Sequence, residues 1–78
     1  MSPYVFIVPN NWIQKFLEFV AIVDWANFDD TVKSNTACEW LLWEHNHIYA
    51  PELLQHPAVY AQLIEAANEE KEKEKENS

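Results

Sequence analysis

The chain has 78 residues, a formal net charge of −8 at neutral pH, a hydrophobic share of 49% and no glycine. This length suits one domain, and this much apolar material excludes disorder of the whole chain. Without glycine, the loops that cradle phosphates and nucleotides cannot form. The negative charge opposes direct nucleic-acid binding and favours a partner with a basic surface.

The composition also bears on location. A single Cys38 cannot form a disulfide within the chain, which fits a reducing compartment. Residues 1–3 lack the positive charge of a secretion signal, and the longest apolar run, residues 19–23, is far shorter than the ~20 residues that span a membrane. We therefore expect a cytoplasmic protein (in the host cytoplasm if the chain is viral) that does not bind membranes.

The first predicted element is an extended arm over residues 3–9. Residues 4–8 are β-branched or aromatic, and Pro9 follows them. A lone strand cannot satisfy its own backbone groups. The arm therefore either packs over the helices or pairs as a strand with a second copy or a target through Tyr4, Phe6 and Val8.

A helix is predicted over residues 11–26. Asn11 is a suitable N-cap, with Gln14 at the third helical position. Apolar residues cover more than half of this helix, which is typical of a central element contacted from several sides.

A second helix is predicted over about residues 35–48. Thr36 and Glu39 have the spacing of a capping box, although Asp29 or Asp30 would cap an earlier start. One broad apolar face suits the core. The opposite face consists of Trp40, Trp43 and His47, flanked by Glu39 and Glu44.

This second face has two interpretations. The arm or the last helix covers it and completes a layered core, or it is an exposed aromatic patch beside acids. The second arrangement is typical of a protein-binding hot spot and favours a partner rich in Lys and Arg.

After a short helical turn over residues 51–55, Pro57 suits the first position of a third main helix, predicted over 57–70. Residues 69–78 contain only Glu, Lys, Asn and Ser, and we expect a disordered tail there. Residues 1–68 contain eight acids and two lysines, so the domain itself carries −6 of the charge.

The sequence indicates neither catalysis nor a cofactor. His45 and His47 point to opposite sides of a helix, and Cys38 and His45 lie two turns apart, about 10 Å along the axis, too far to share one metal ion. The same separation excludes a Cys–His nucleophile pair. We expect no enzyme activity and no metal.

The predicted fold is therefore all-α, with residues 1–68 as one domain of three main helices and an N-terminal extended arm. In size, acidity and predicted location the chain resembles phage-encoded inhibitors such as anti-CRISPR and DNA-mimic proteins; the resemblance lies in composition and involves no motif. It implies an antagonist that occupies a basic, possibly nucleic-acid-binding, surface of a larger protein. The alternative is a homodimeric structural or regulatory module.

Overall fold

A computed structural model describes the backbone of residues 6–76 and the side chains of residues 6–74. The predicted all-α class is confirmed, and the described residues contain no strand. The elements are α1 (Asn10–Ile22), a 3-10 turn (Trp25–Asn27), α2 (Asp30–His45), α3 (Pro51–Leu54) and α4 (Pro57–Glu76). No helix in the described part of the chain is long and apolar enough to cross a membrane.

Helix α1 begins one residue before the predicted start and without the predicted Asn11 cap. Pro9 occupies the N-cap position, and its carbonyl accepts hydrogen bonds from the amides of Trp12 (3.0 Å) and Ile13 (3.2 Å). A backbone acceptor thus takes the place of the predicted side-chain cap.

Helix α1 also ends earlier than predicted, at Ile22 rather than near residue 26. Val23 is extended, with φ −114° and ψ 162°, and the chain then enters the 3-10 turn. This change of direction places Trp25 in the core at 1% exposure, with its ring edge-on to Phe16 at 5.6 Å between centroids. Burial of a large aromatic ring stabilises the break.

Helix α2 starts at Asp30, so the predicted start at the Thr36 capping box is wrong. Asp29 is the N-cap, and its side chain accepts a hydrogen bond from the Val32 amide at 2.8 Å. The earlier of the two starts that the sequence allowed is the one used, because an Asp cap satisfies a free amide and its charge suits the helix N-terminus.

Helix α2 ends at His45 rather than at the predicted residue 48. The carbonyl of His45 accepts hydrogen bonds from the amides of Ile48 and Tyr49, both at 2.9 Å, in a turn that leaves the helix axis. Tyr49 then packs edge-on against Trp12 (5.1 Å) and Phe6 (5.3 Å). This aromatic packing stabilises the chain reversal that leads to α3.

Helix α4 packs against α1, α2 and α3, and therefore holds the bundle together. The predicted start at Pro57 is confirmed. The helix continues to Glu76, so its predicted end near residue 70 is wrong, and residues 69–76 of the predicted disordered tail are helical. Glu and Lys are good helix formers, and Lys71 pairs with Glu74 at 3.4 Å across one turn.

The core contains residues from every helix, the 3-10 turn and the arm. Its buried apolar members are Val8, Trp12, Phe16, Val20, Trp25, Ala37, Leu41, Leu54, Val59, Leu63 and Ala67. Those on α4 repeat every four residues, as one face of a helix requires.

Candidate functional site

An open groove of about 590 Å³ runs between α1 and α2 on the outside of the bundle. We call its lining the Trp43 surface: Lys15, Glu18, Phe19 and Ile22 from α1, and Trp40, Trp43 and Glu44 from α2. On each helix these positions are three or four residues apart, so they form one stripe. Two stripes on neighbouring helices form a continuous surface.

Within this surface the two tryptophans differ in burial, although the sequence analysis assigned both to the same face of the helix. Trp40 is half-buried and packs edge-on against Phe16, with 5.1 Å between ring centroids. Trp43 is 84% exposed. At about 100° per residue, Trp43 lies roughly 160° from the core residue Leu41, whereas Trp40 lies about 100° from it and reaches the edge of the core.

The groove also contains apolar residues that sequence reasoning did not assign to the site. Ile22, the last residue of α1, is 82% exposed, and the half-buried Phe19 lies one turn before it. The signal was present in the i, i+3, i+4, i+7 spacing of Lys15, Glu18, Phe19 and Ile22. It was obscured because apolar residues occupy most of the circumference of α1.

The groove and its edge carry net negative charge. Glu18 and Glu44 line it, Glu39 lines an adjoining pocket, and Lys15 is the one lysine among these residues. Three carboxylates and one ammonium sum to −2. All four side chains are exposed, so their field reaches solvent and can attract a cationic partner.

On its other side Trp43 borders a second concavity of about 360 Å³, lined also by Leu42, Asn46 and His47. His47 lies beyond the end of α2, in the turn that follows it, and is exposed. The structure thus places Trp40, Trp43 and Glu44 of the predicted residues in one groove, and Glu39 in the pocket that adjoins it. His47 reaches only the far side of Trp43.

The described part of the N-terminal arm packs on the bundle. The side chain of Gln62 holds the arm through two hydrogen bonds. The Val8 amide donates to Gln62 Oε1 (2.9 Å), and Gln62 Nε2 donates to the Phe6 carbonyl (2.8 Å). Val8 is buried, and the Phe6 ring lies 5.6 Å from that of Trp12. Tyr4, the third predicted strand-pairing residue, lies outside the described residues.

Gln62 and Asn68, two polar residues of α4, both make tertiary hydrogen bonds. Asn68 Oδ1 accepts from the buried Trp25 Nε1 (3.0 Å) and from Lys33 Nζ (2.9 Å). Lys33 also lies 5.4 Å from the centre of a Trp25 ring. One amide therefore joins the 3-10 turn, α2 and α4.

His45 is buried among the aromatic residues of the core. His45 is 5% exposed and stacks on Trp12, with ring centroids 3.6 Å apart and planes 11° apart. Neither ring nitrogen has a hydrogen-bond partner among the described residues. Burial lowers the pKa of His45, against the opposing effect of Glu44; Lys15 and His47 lower this pKa further.

The thiol of Cys38 is partly buried on α2. Burial raises its pKa, and the neighbouring Glu39 raises it further, so the thiol is protonated at neutral pH. A protonated thiol is a poor nucleophile. Across the described side chains, no group of three or more His, Cys, Asp or Glu residues is placed to hold a metal ion.

Comparisons of this chain with protein-family models, with curated proteins and with solved structures find no match.

Proposed function

We propose that this protein is a non-enzymatic binding module that acts as an antagonist by covering a basic surface of a larger protein with its Trp43 surface. The single observation that carries the proposal is the exposure of Trp43 at 84% beside Ile22 at 82% in one groove. Large apolar side chains that lie together on a surface mark interaction sites more often than isolated ones do.

The composition of the groove favours a protein partner over a small molecule. Trp is enriched among the residues that contribute most to protein interfaces, and such anchors lie near the centre of their interface. Trp43 has this central position, because it lines the groove and the concavities on both of its sides. A rim of exposed carboxylates is the usual polar surround of such an anchor.

Charge favours a basic partner. Every acidic side chain that the structure describes is exposed, and the whole chain carries −8. Such a field accelerates encounter with a positive surface and repels anions. A basic surface that normally binds nucleic acid would meet these conditions. The acids are too widely spaced to reproduce the regular charge of a DNA backbone, so the aromatic contact is the essential part of this proposal.

A homodimer through the same groove is less favoured on electrostatic grounds. A two-fold interface would bring Glu18 and Glu44 of one copy towards those of the other, and only Lys15 would be available to offset them. Light scattering at low and high salt distinguishes the two assemblies, since an apolar dimer would persist in salt.

The test is co-purification of the tagged protein with its partner from the cell that produces it, followed by affinity measurements. Trp43→Ala should weaken binding by at least about thirtyfold, because truncation of a central anchor costs ~2 kcal/mol or more. Raising salt from about 0.1 M to about 1 M, which shortens the screening length from ~10 Å to ~3 Å, should weaken it as well.

Two charge reversals provide the matched comparison. Glu44→Lys changes a groove carboxylate, and Glu65→Lys makes the same change in net charge on α4, away from the groove. We expect a clear loss of affinity for the first and little change for the second. Equal effects would mean that only total charge matters, and unchanged binding by Trp43→Ala would overturn the assignment of the surface.

A further inference from the structure

We infer that the pocket between Phe19, Trp40 and Trp43 binds a cationic side chain of the partner, and that its preferred ligand is the guanidinium of an arginine. This inference rests on the proposed function and specifies the chemistry by which the Trp43 surface recognises its target. The pocket has a volume of about 210 Å³ and is completed by Thr36 and Glu39.

Three of the five residues that line this pocket are aromatic. Phe19 comes from α1, while Trp40 and Trp43 are one turn apart on α2. Aromatic faces carry a negative quadrupole that attracts cations, and tryptophan attracts them most strongly. Arginine suits such walls better than lysine, because its planar and weakly hydrated guanidinium stacks on rings.

One acidic residue lies at the edge of this mostly apolar pocket. Glu39 is exposed at the rim and lies on the same stripe of α2 as Thr36, Trp40 and Trp43. A carboxylate beside an aromatic wall accepts hydrogen bonds from a guanidinium in the fork geometry that arginine presents. An anion would meet Glu39 with like charge, whereas a cation would be attracted to it.

The size of the pocket matches one side chain. Pockets that enclose small-molecule ligands usually measure roughly 300–1,000 Å³, and this one is smaller. It also adjoins the larger groove, since both contain Phe19, Trp40 and Trp43. A partner segment lying along the groove could therefore place one arginine in the pocket.

The test uses N-acetyl-arginine amide as the probe and N-acetyl-citrulline amide as the neutral control of the same shape. Both are titrated into isotope-labelled protein, and the four tryptophan indole N–H resonances are followed by NMR. We expect the arginine probe to shift the signals of Trp40 and Trp43 and to leave that of the buried Trp25 unchanged. Citrulline should bind at least about threefold more weakly, because it lacks the cation.

Variants locate the binding. Trp43→Leu removes an exposed aromatic wall and should weaken binding of the arginine probe by about two- to fivefold. Glu39→Gln should weaken it by a similar factor, and Glu65→Gln should have no effect. Equal binding of arginine and citrulline, or equal effects of Glu39→Gln and Glu65→Gln, would overturn the inference.

The two proposals can fail separately. If the probe does not bind this pocket but the partner still requires Trp43, the arginine pocket is wrong and the proposed function stands. If the probe binds as predicted but Trp43→Ala leaves partner binding unchanged, the pocket recognises cations and the proposed function is wrong.

Discussion

The hydrogen bonds of Asn68 offer the sharpest test of the packing. Asn68→Ala removes the acceptor of the indole N–H of Trp25, whose side chain is 1% exposed, and that of Lys33. A buried donor left without a partner costs about 1–3 kcal/mol. The half-exposed ammonium of Lys33 can be hydrated instead and adds about 0.5 kcal/mol. Alanine has a higher helix propensity than asparagine, which offsets a similar amount.

The free energy of unfolding should therefore fall by about 1–3 kcal/mol, which lowers the melting temperature by about 5–20 °C in a domain of this size. Urea and thermal unfolding followed by circular dichroism measure both quantities. Asn35→Ala is the matched control, because Asn35 is exposed in α2 and should respond only through helix propensity. Asn68→Asp keeps the acceptor and should retain wild-type stability. If Asn68→Ala matches wild type, or Asn68→Asp is as unstable as Asn68→Ala, the reasoning is wrong.

Three further predictions concern the arm, the buried histidine and the cysteine. Gln62→Ala should lower stability by about 1–2 kcal/mol by removing its hydrogen bonds to the arm, and hydrogen exchange of the Val8 amide should become faster; unchanged exchange would contradict the described contact. The pKa of His45 is lower in the folded protein than its ordinary value of 6.5. As pH falls below about 6.5, the unfolded chain therefore binds a proton at His45 before the folded protein does, and the free energy of unfolding should decrease. This decrease should end once the pH is below the pKa of His45 in the folded protein. Urea titrations across this window should show a weaker pH dependence of stability for His45→Phe than for wild type, and an unchanged pH dependence would argue against the burial. The raised pKa of Cys38 predicts slow alkylation by iodoacetamide at pH 7 compared with a free cysteine, and a rate equal to that of free cysteine would refute it.

The fold was largely predictable because hydrophobic periodicity and proline positions determine which segments are helical. Both Pro51 and Pro57 begin helices as expected. The ends of α1 and α2 were not predictable, since tertiary packing decides them. Three of the four residues over 23–26 are apolar, so the apolar pattern does not mark an end at Ile22, and the burial of Trp25 in the 3-10 turn accounts for the break.

The candidate site was predicted in part. Helical spacing alone separates Trp43 from the core face of α2, and this separation is seen in the structure. The spacing of the α1 residues places them on one stripe, but no local pattern indicates that this stripe lies beside α2. The same limit applies to Gln62 and Asn68, whose amide side chains have polar partners from distant parts of the chain.

Photo-cross-linking at position 47, which lies beside Trp43 and leaves that anchor in place, tests the central claim most directly. A benzophenone side chain placed there should cross-link to one basic protein in the producing cell, and the yield should fall with Glu44→Lys but not with Glu65→Lys. The same group at position 65 on α4 should give no such product. Equal products from both positions, or cross-links only to a second copy of this chain, would contradict the proposal that the Trp43 surface binds a basic partner.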